Sequence, residues 1–243
     1  MLAFWIALQF LSSLPVRLPG MPEPAQMGRS LLWYPAVGGL FGLLLLALAW
    51  LLGAAPPMLQ AALVLSAWVV LSGGLHLDGL ADSADAWLGG FGDRQRTLEI
   101  MKDPRSGPIA VVTLVLLLLL KFCAVLALLQ SGQWLALLLA PVLGRAAMLA
   151  LFLTTAYVRA GGLGQALAEH LPRSAGRAVL LASAAGTVLL AGWKGAGVLL
   201  LVALVFLWLR RLMLRRLGGT TGDTAGALLE VLELTVLLGW VLL

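Results

Sequence analysis

Long apolar runs, broken by short polar or Gly/Pro-rich stretches, set the pattern of this chain. Runs approaching about 20 apolar residues predict helices that span a bilayer. Seven are predicted, at about 31–52, 58–75, 108–129, 134–153, 177–193, 196–209 and 224–243. Gly53–Pro57, Gln130–Gln133 and Lys194–Gly195 are the tight turns between neighbours. The apolar residues 1–14 end at Ser12-Ser13-Leu14-Pro15 and are too few for a span. They predict an interfacial or packing helix, without the basic leader and cleavage site of a removed signal peptide. Longer polar segments lie at 15–30, 76–107, 154–176 and 210–223. Within the second, Asp93 is placed to cap a short helix from Arg94 to Lys102 that Pro104 stops.

Composition agrees: 61% of the 243 residues are hydrophobic and 11% charged, more apolar surface than a water-soluble domain can hide. The fold class expected is an all-α integral membrane protein, one polytopic domain of about seven spans plus the N-terminal helix. The net charge of +5 does not point to nucleic acid, because the basic residues alternate with the spans. Arg17, Arg29, Arg94, Arg96, Lys102, Arg105, Arg159, Arg173, Arg177 and the cluster Arg210, Arg211, Arg215 and Arg216 all fall in loops on one side. The other side carries only Lys194. The positive-inside rule makes the first side cytoplasmic. Most carboxylates lie there too, so chemistry is expected at the cytoplasmic face of a cell (inner) membrane. The single cysteine, Cys123, lies in an apolar run and excludes an intrachain disulfide.

Asp78, Asp82 and Asp85 are spaced i, i+4, i+7. At about 100° per residue they occupy an arc of roughly 60° on one helical face. The residues between them are small or apolar, and no basic residue is near in sequence to neutralise them. A solvated, salt-bridged face would look different. A divalent cation held by carboxylate oxygens, most naturally magnesium bridging to phosphates, fits better. His76, two residues before, is a candidate base or phosphate contact, or simply a hydrogen-bonded boundary residue.

Other charges have two readings each. Glu230 and Glu233 fall inside the last span, where a carboxylate costs roughly 2.5–3.5 kcal/mol. They serve either a substrate, as a second acidic wall with Asp223, or an interhelical pairing with Arg145 or Lys121. Gly218–Asp223 could receive a phosphate at a helix N-terminus, or be a plain turn capped by Thr220. Lys102 and Arg105, beside Asp103, are cations for a nucleotide diphosphate or merely topology signals.

The segment Gly73–Asp85 resembles the signature of the cobalamin synthase (adenosylcobinamide-GDP ribazoletransferase) family. Further stretches resemble the family in its order: Gln9-Phe10-Leu11, Glu99–Asp103 with Arg105 and Gly107, Leu143-Gly144-Arg145, Gly162-Leu163-Gly164, and Thr221-Gly222-Asp223 followed by Gly226-Ala227, Glu230 and Glu233. Pro104 and Pro108 are departures that affect only the local shape of their loop. The resemblance implies a magnesium-dependent membrane enzyme that joins adenosylcobinamide-GDP to α-ribazole, or to α-ribazole 5′-phosphate, and releases GMP. It implies magnesium on Asp78 and Asp82, with Asp85 as further ligand or general base and Asp82, Asp85 and His76 as catalytic candidates. Lys102, Asp103, Arg105, Arg145, Asp223, Glu230 and Glu233 are then the substrate-binding candidates, in an active-site loop at about 76–107 and a second acidic motif at about 218–233.

Two other classes fit the sequence less well. A CDP-alcohol phosphotransferase-like lipid enzyme also begins its motif Asp-Gly, but wants an Ala-Arg pair and further aspartates downstream, whereas Ala81 here precedes Asp82. A secondary transporter would show internal repeats and midplane charges rather than acids gathered at one face. The expected partners are the two substrates and the lipid bilayer, with no nucleic acid; a homo-oligomer is compatible with the sequence.

Overall fold

The computed structural model describes residues 1–243, apart from the side chain of Leu163. Eleven helices follow one another: α1 (Leu2–Leu11), α2 (Pro24–Ser30), α3 (Tyr34–Leu51), α4 (Pro57–Ser72), α5 (Leu75–Gly89), α6 (Arg94–Ile100), α7 (Pro108–Gln130), α8 (Leu135–Thr154), α9 (Leu163–Glu169), α10 (Arg173–Leu217) and α11 (Gly222–Leu242). Among the described residues there is no β-strand, only an isolated bridge between Tyr157 and Thr220. The protein is an all-α, multi-pass membrane protein.

By length and composition five helices can cross a bilayer, or six if the bent pair α4–α5 is one broken span. One of the five, α10, has 45 residues and is not straight. At Gly192 (φ 58, ψ −139) the backbone leaves the helix, and a Cβ on Gly195 would lie 2.6 Å from the Thr187 carbonyl. Arg173 donates to the Leu153 carbonyl at 2.6 Å and Arg210 to the Thr154 carbonyl at 2.6 Å, so both ends of α10 meet the same end of α8. The helix is therefore a hairpin of two arms. Counting both arms, and α4 with α5 turned off at its polar end, gives the seven expected, with the reversal slightly earlier than Lys194–Gly195.

The polar segments gather at one end of the bundle. Val158 N–H donates to the Thr220 carbonyl at 2.9 Å and Thr220 N–H to the Ala156 carbonyl at 2.8 Å. Arg94 reaches the Leu217 carbonyl at 2.7 Å, while Gly28 of α2 lies against the backbone of His170 after α9. At the other end, Lys194 Nζ donates to Gln133 Oε1 at 2.7 Å, joining two of the turns. The N-terminal stretch is a packing helix: Ala7 and Leu11 are fully buried, and Ser13 N–H donates to the Leu71 carbonyl at 2.8 Å. Residues 15–30 and 154–176, read from sequence as loops, contain the short helices α2 and α9.

Inside the bundle lies a group of four charges. Lys121 Nζ sits 2.6 Å from Glu230 Oε2 and 2.8 Å from Glu233 Oε2, and Arg145 Nη1 lies 2.9 Å from Glu233 Oε1. Two cations face two carboxylates, all of them buried. The rings of Trp68 and Phe41 cover Lys121 and Arg145 at 4.8 and 4.3 Å. Charges desolvated this far persist only when paired, so the cluster ties α7, α8 and α11 together.

Candidate active site

The three aspartates share one helix, as their spacing predicts. Helix α4 ends at Gly73 (φ 62) and Gly74 (φ 70), both in the left-handed region, and α5 departs at 86° from α4. That turn lays α5 across the start of α11. A Cβ on Gly79 would lie 2.8 Å from the Asp223 carbonyl oxygen, and one on Gly226 3.2 Å from the His76 Cα. Only glycine admits so close a crossing, which sets Asp78 beside Asp223.

Asp78 and Asp223 line a cleft of about 400 Å³ at the charged end of the bundle. Its walls come from α5, the start of α11, the end of α8 and the loop before α9. Arg159, from that loop, pairs with Asp223 (Nη1 to Oδ2, 2.8 Å). Tyr157, stacked on Phe152 with ring centroids 6.2 Å apart, forms part of the same wall. Next along α5, Asp82 is half-buried. Burial, then the charges of Asp78 and Asp223, push it up to about 6, with Arg159 pulling the other way. Burial and the neighbouring carboxylates together let Asp82 keep a proton to higher pH than an ordinary aspartate.

Asp85 lies elsewhere. Its carboxylate accepts hydrogen bonds from the N–H of Gly107 and from the N–H of Ala110 at 3.0 Å. It caps the start of α7 rather than turning toward Asp78 and Asp82. Among the described residues no three acidic or histidine side chains converge closely enough to enclose a cation. The donor set does fit magnesium. Asp78 and Asp223 line the open cleft with hard carboxylate oxygens, Asp82 lies one turn further along α5, and magnesium takes one or two such ligands and completes its shell with water and phosphate.

The other expected residues divide. His76 lines the cleft but is buried at its floor, away from solvent. Lys102 is exposed, and Arg105 and Asp103 bind each other in the largely exposed stretch 102–106 through contacts of 2.6 and 2.9 Å. None of these three lines the cleft. Arg145, Glu230 and Glu233, expected to contact substrate, are held in the buried charge cluster and also do not line it. Of the two sequence readings for the glutamates, the structure displays the interhelical pairing. The start of α11 is capped by Thr221, not Thr220: its Oγ1 accepts the Thr224 N–H at 3.2 Å.

Arg159, Tyr157 and Tyr34 were not singled out from sequence. The signal near the first two was Gly162–Gly164, where a Cβ on either glycine would run into the Tyr157 ring. Those glycines seat the tyrosine beside the cleft.

A helical membrane protein with a carboxylate-walled cleft at the charged end of its bundle is the class that fold and site define. The sequence then fixes the family. Residues 3–241 match the cobalamin-5-phosphate synthase family, and the chain belongs to it. It is 74% identical over 243 residues, the whole of both chains, to a protein of Pseudomonas savastanoi pv. phaseolicola named adenosylcobinamide-GDP ribazoletransferase. A protein of the same name from Pseudomonas fluorescens is 71% identical over 239 residues, 98% of each chain. No solved structure matches the chain.

Proposed function

We propose that this protein transfers the phosphocobinamide part of adenosylcobinamide-GDP to a ribose hydroxyl of α-ribazole or its 5′-phosphate. The products are adenosylcobalamin, or its phosphate, and GMP. The observation that carries the reading is the approach of α5 to α11 at Gly79 and Asp223, which puts Asp78 and Asp223 on one cleft in a chain of this family.

In the transfer a P–O bond forms to the ribose oxygen, the P–O bond to GMP breaks, and the hydroxyl loses its proton. Magnesium on Asp78 and Asp82 would neutralise diphosphate charge and stabilise departing GMP. Asp223, beside Asp78 on the same cleft, would orient the hydroxyl and accept its proton. Arg159 steadies Asp223 and offers its remaining N–H groups to a phosphate oxygen. Lys102 and Arg105, exposed on the segment that ends at the Asp85-bound Gly107, are the cations available to the outer phosphates. The arginine-rich loops at the cleft's end support a cytoplasmic active site in the inner membrane.

The test is GMP release by the detergent-purified protein from adenosylcobinamide-GDP, α-ribazole and magnesium. Release that requires all three supports the reading. Absence of GMP with intact, folded protein overturns it.

A further inference from the structure

On α5, Leu80, Ala84 and Trp87 each follow an aspartate by two positions, so they lie about 200° around the helix from Asp78, Asp82 and Asp85. This back face is not filled. Between it, the end of α10 and the start of α11 runs an apolar groove of about 180 Å³, walled also by Met213, Ala227 and Val231. Ala84, Trp87, Ala227 and Val231 are only half-buried, so the groove opens on the outside of the bundle. Its mouth is charged. Arg216 follows Met213 by three positions, which sets it one helical turn nearer the arginine-rich end on the same face. Its guanidinium lies 5.4 Å from the centre of the Trp87 ring, and Nη1 donates to Thr97 Oγ1 at 3.3 Å. At the same end of α5, Arg96 covers Phe91 at 5.2 Å. Phe91 is 81% exposed and keeps a left-handed backbone (φ 45) that is unusual for a residue other than glycine. Among the described residues no carboxylate forms an ion pair with Arg96 or Arg216.

We infer that this groove binds one anionic phospholipid, with an acyl chain along Leu80, Ala84, Ala227 and Val231 and the phosphate on Arg216, Arg96 being the next cation. Depth supports this occupant. Val231 is the deepest wall residue of α11, about 14 Å from the start of that helix at Gly222 at about 1.5 Å per residue. A hydrocarbon core is about 30 Å thick, so the groove has the depth of one leaflet. Charge selects the headgroup. Guanidiniums without a carboxylate partner at the mouth of an apolar groove complement a phosphate that carries net negative charge, and a zwitterionic lipid would bring its own cation to them. A second copy of the chain, inserted the same way up, would bring another arginine-rich end to the same place. Inorganic phosphate would satisfy the arginines but leave the groove empty. The site lies behind the carboxylates rather than among them, so it is separate from the cleft.

The experiment titrates full-length protein, purified in detergent and freed of lipid, with phosphatidylglycerol or phosphatidylcholine of identical chains. Native mass spectrometry counts the lipids bound and gives each Kd. Wild-type protein is expected to hold one phosphatidylglycerol about tenfold more tightly than phosphatidylcholine. Arg216→Gln should cut that preference by about fivefold. Ala227→Phe, which fills the groove, should remove the tight site for both lipids. Equal Kd values for the two lipids in wild type overturn the proposal without reliance on any variant's folding. So does an Ala227→Phe protein of unchanged circular dichroism that keeps one phosphatidylglycerol as tightly as wild type. Displacement of the lipid by an equal concentration of inorganic phosphate overturns it too, since the arginines alone would then be the site. A dimer that binds no lipid tightly and that Ala227→Phe separates would put a second copy in the groove instead.

Discussion

Gly79 and Asp223 touch backbone to backbone: a side-chain carbon on the first would meet the carbonyl oxygen of the second at 2.8 Å. The contact sets the separation of α5 and α11, and with it the carboxylates that face the cleft. Gly79→Ala is expected to push the helices apart and lower GMP release at least tenfold while the helical content persists. Gly79→Val should be worse. Activity measured beside circular dichroism checks this; full activity in Gly79→Ala would show that the crossing has slack.

Asp82 provides a pH dependence with a definite sign. Its value of about 6 lies above the ordinary 3.8, so without a cation the folded protein holds this proton more tightly than the unfolded chain. That contribution to stability is fully present below about pH 4 and is lost as pH rises through about 6. Added magnesium should restore stability above pH 6, and its apparent affinity should fall as pH drops below 6. Asp82→Asn is expected to flatten both effects and abolish GMP release. Thermal midpoints from pH 4 to 8, with and without magnesium, provide the check.

The buried cluster makes a different prediction. Lys121→Met leaves Glu230 without its cation and Glu233 with only Arg145, at a cost of about 3–5 kcal/mol. Adding Glu230→Gln removes the surplus charge and should recover a large part of the loss. Detergent denaturation of the single and double variants measures the difference. Additive losses would contradict the pairing.

Two arginines should separate. Arg159 is only 29% exposed in its side chain and holds Asp223 at the cleft, whereas Arg105 is 87% exposed and paired to Asp103. Arg159→Ala is expected to reduce kcat/KM for GMP release by about a hundredfold, and Arg105→Ala by less than tenfold. Steady-state kinetics on both decides it.

Much of this arrangement was legible in the sequence because it depends on local rules. Span length and the one-sided distribution of arginines predicted the seven-pass reading and the end where loops gather. The i, i+4, i+7 spacing predicted the helix that carries Asp78, Asp82 and Asp85. What escaped depends on partners remote in the chain. Asp85 binds backbone N–H groups at the start of α7, and no spacing rule separates such a cap from a metal ligand. Arg159 is one arginine among many until the Tyr157–Thr220 bridge sets it beside Asp223. For Glu230 and Glu233 the cost of burial was evident, but choosing between substrate and Lys121 required the packing of three helices.

That last packing has a consequence for biosynthesis. Lys121 and Glu230 are 109 positions apart, so at about 5–20 residues per second the ribosome takes roughly 5–20 s to supply the anion after the cation. During that interval α7 and α8 enter the bilayer with an ammonium and a guanidinium awaiting counter-charges. Only the final helix brings both carboxylates, so α11 is the keystone that closes the assembly. A nascent chain stopped before it carries two stranded cations within apolar helices, each costly to the bilayer-inserted state.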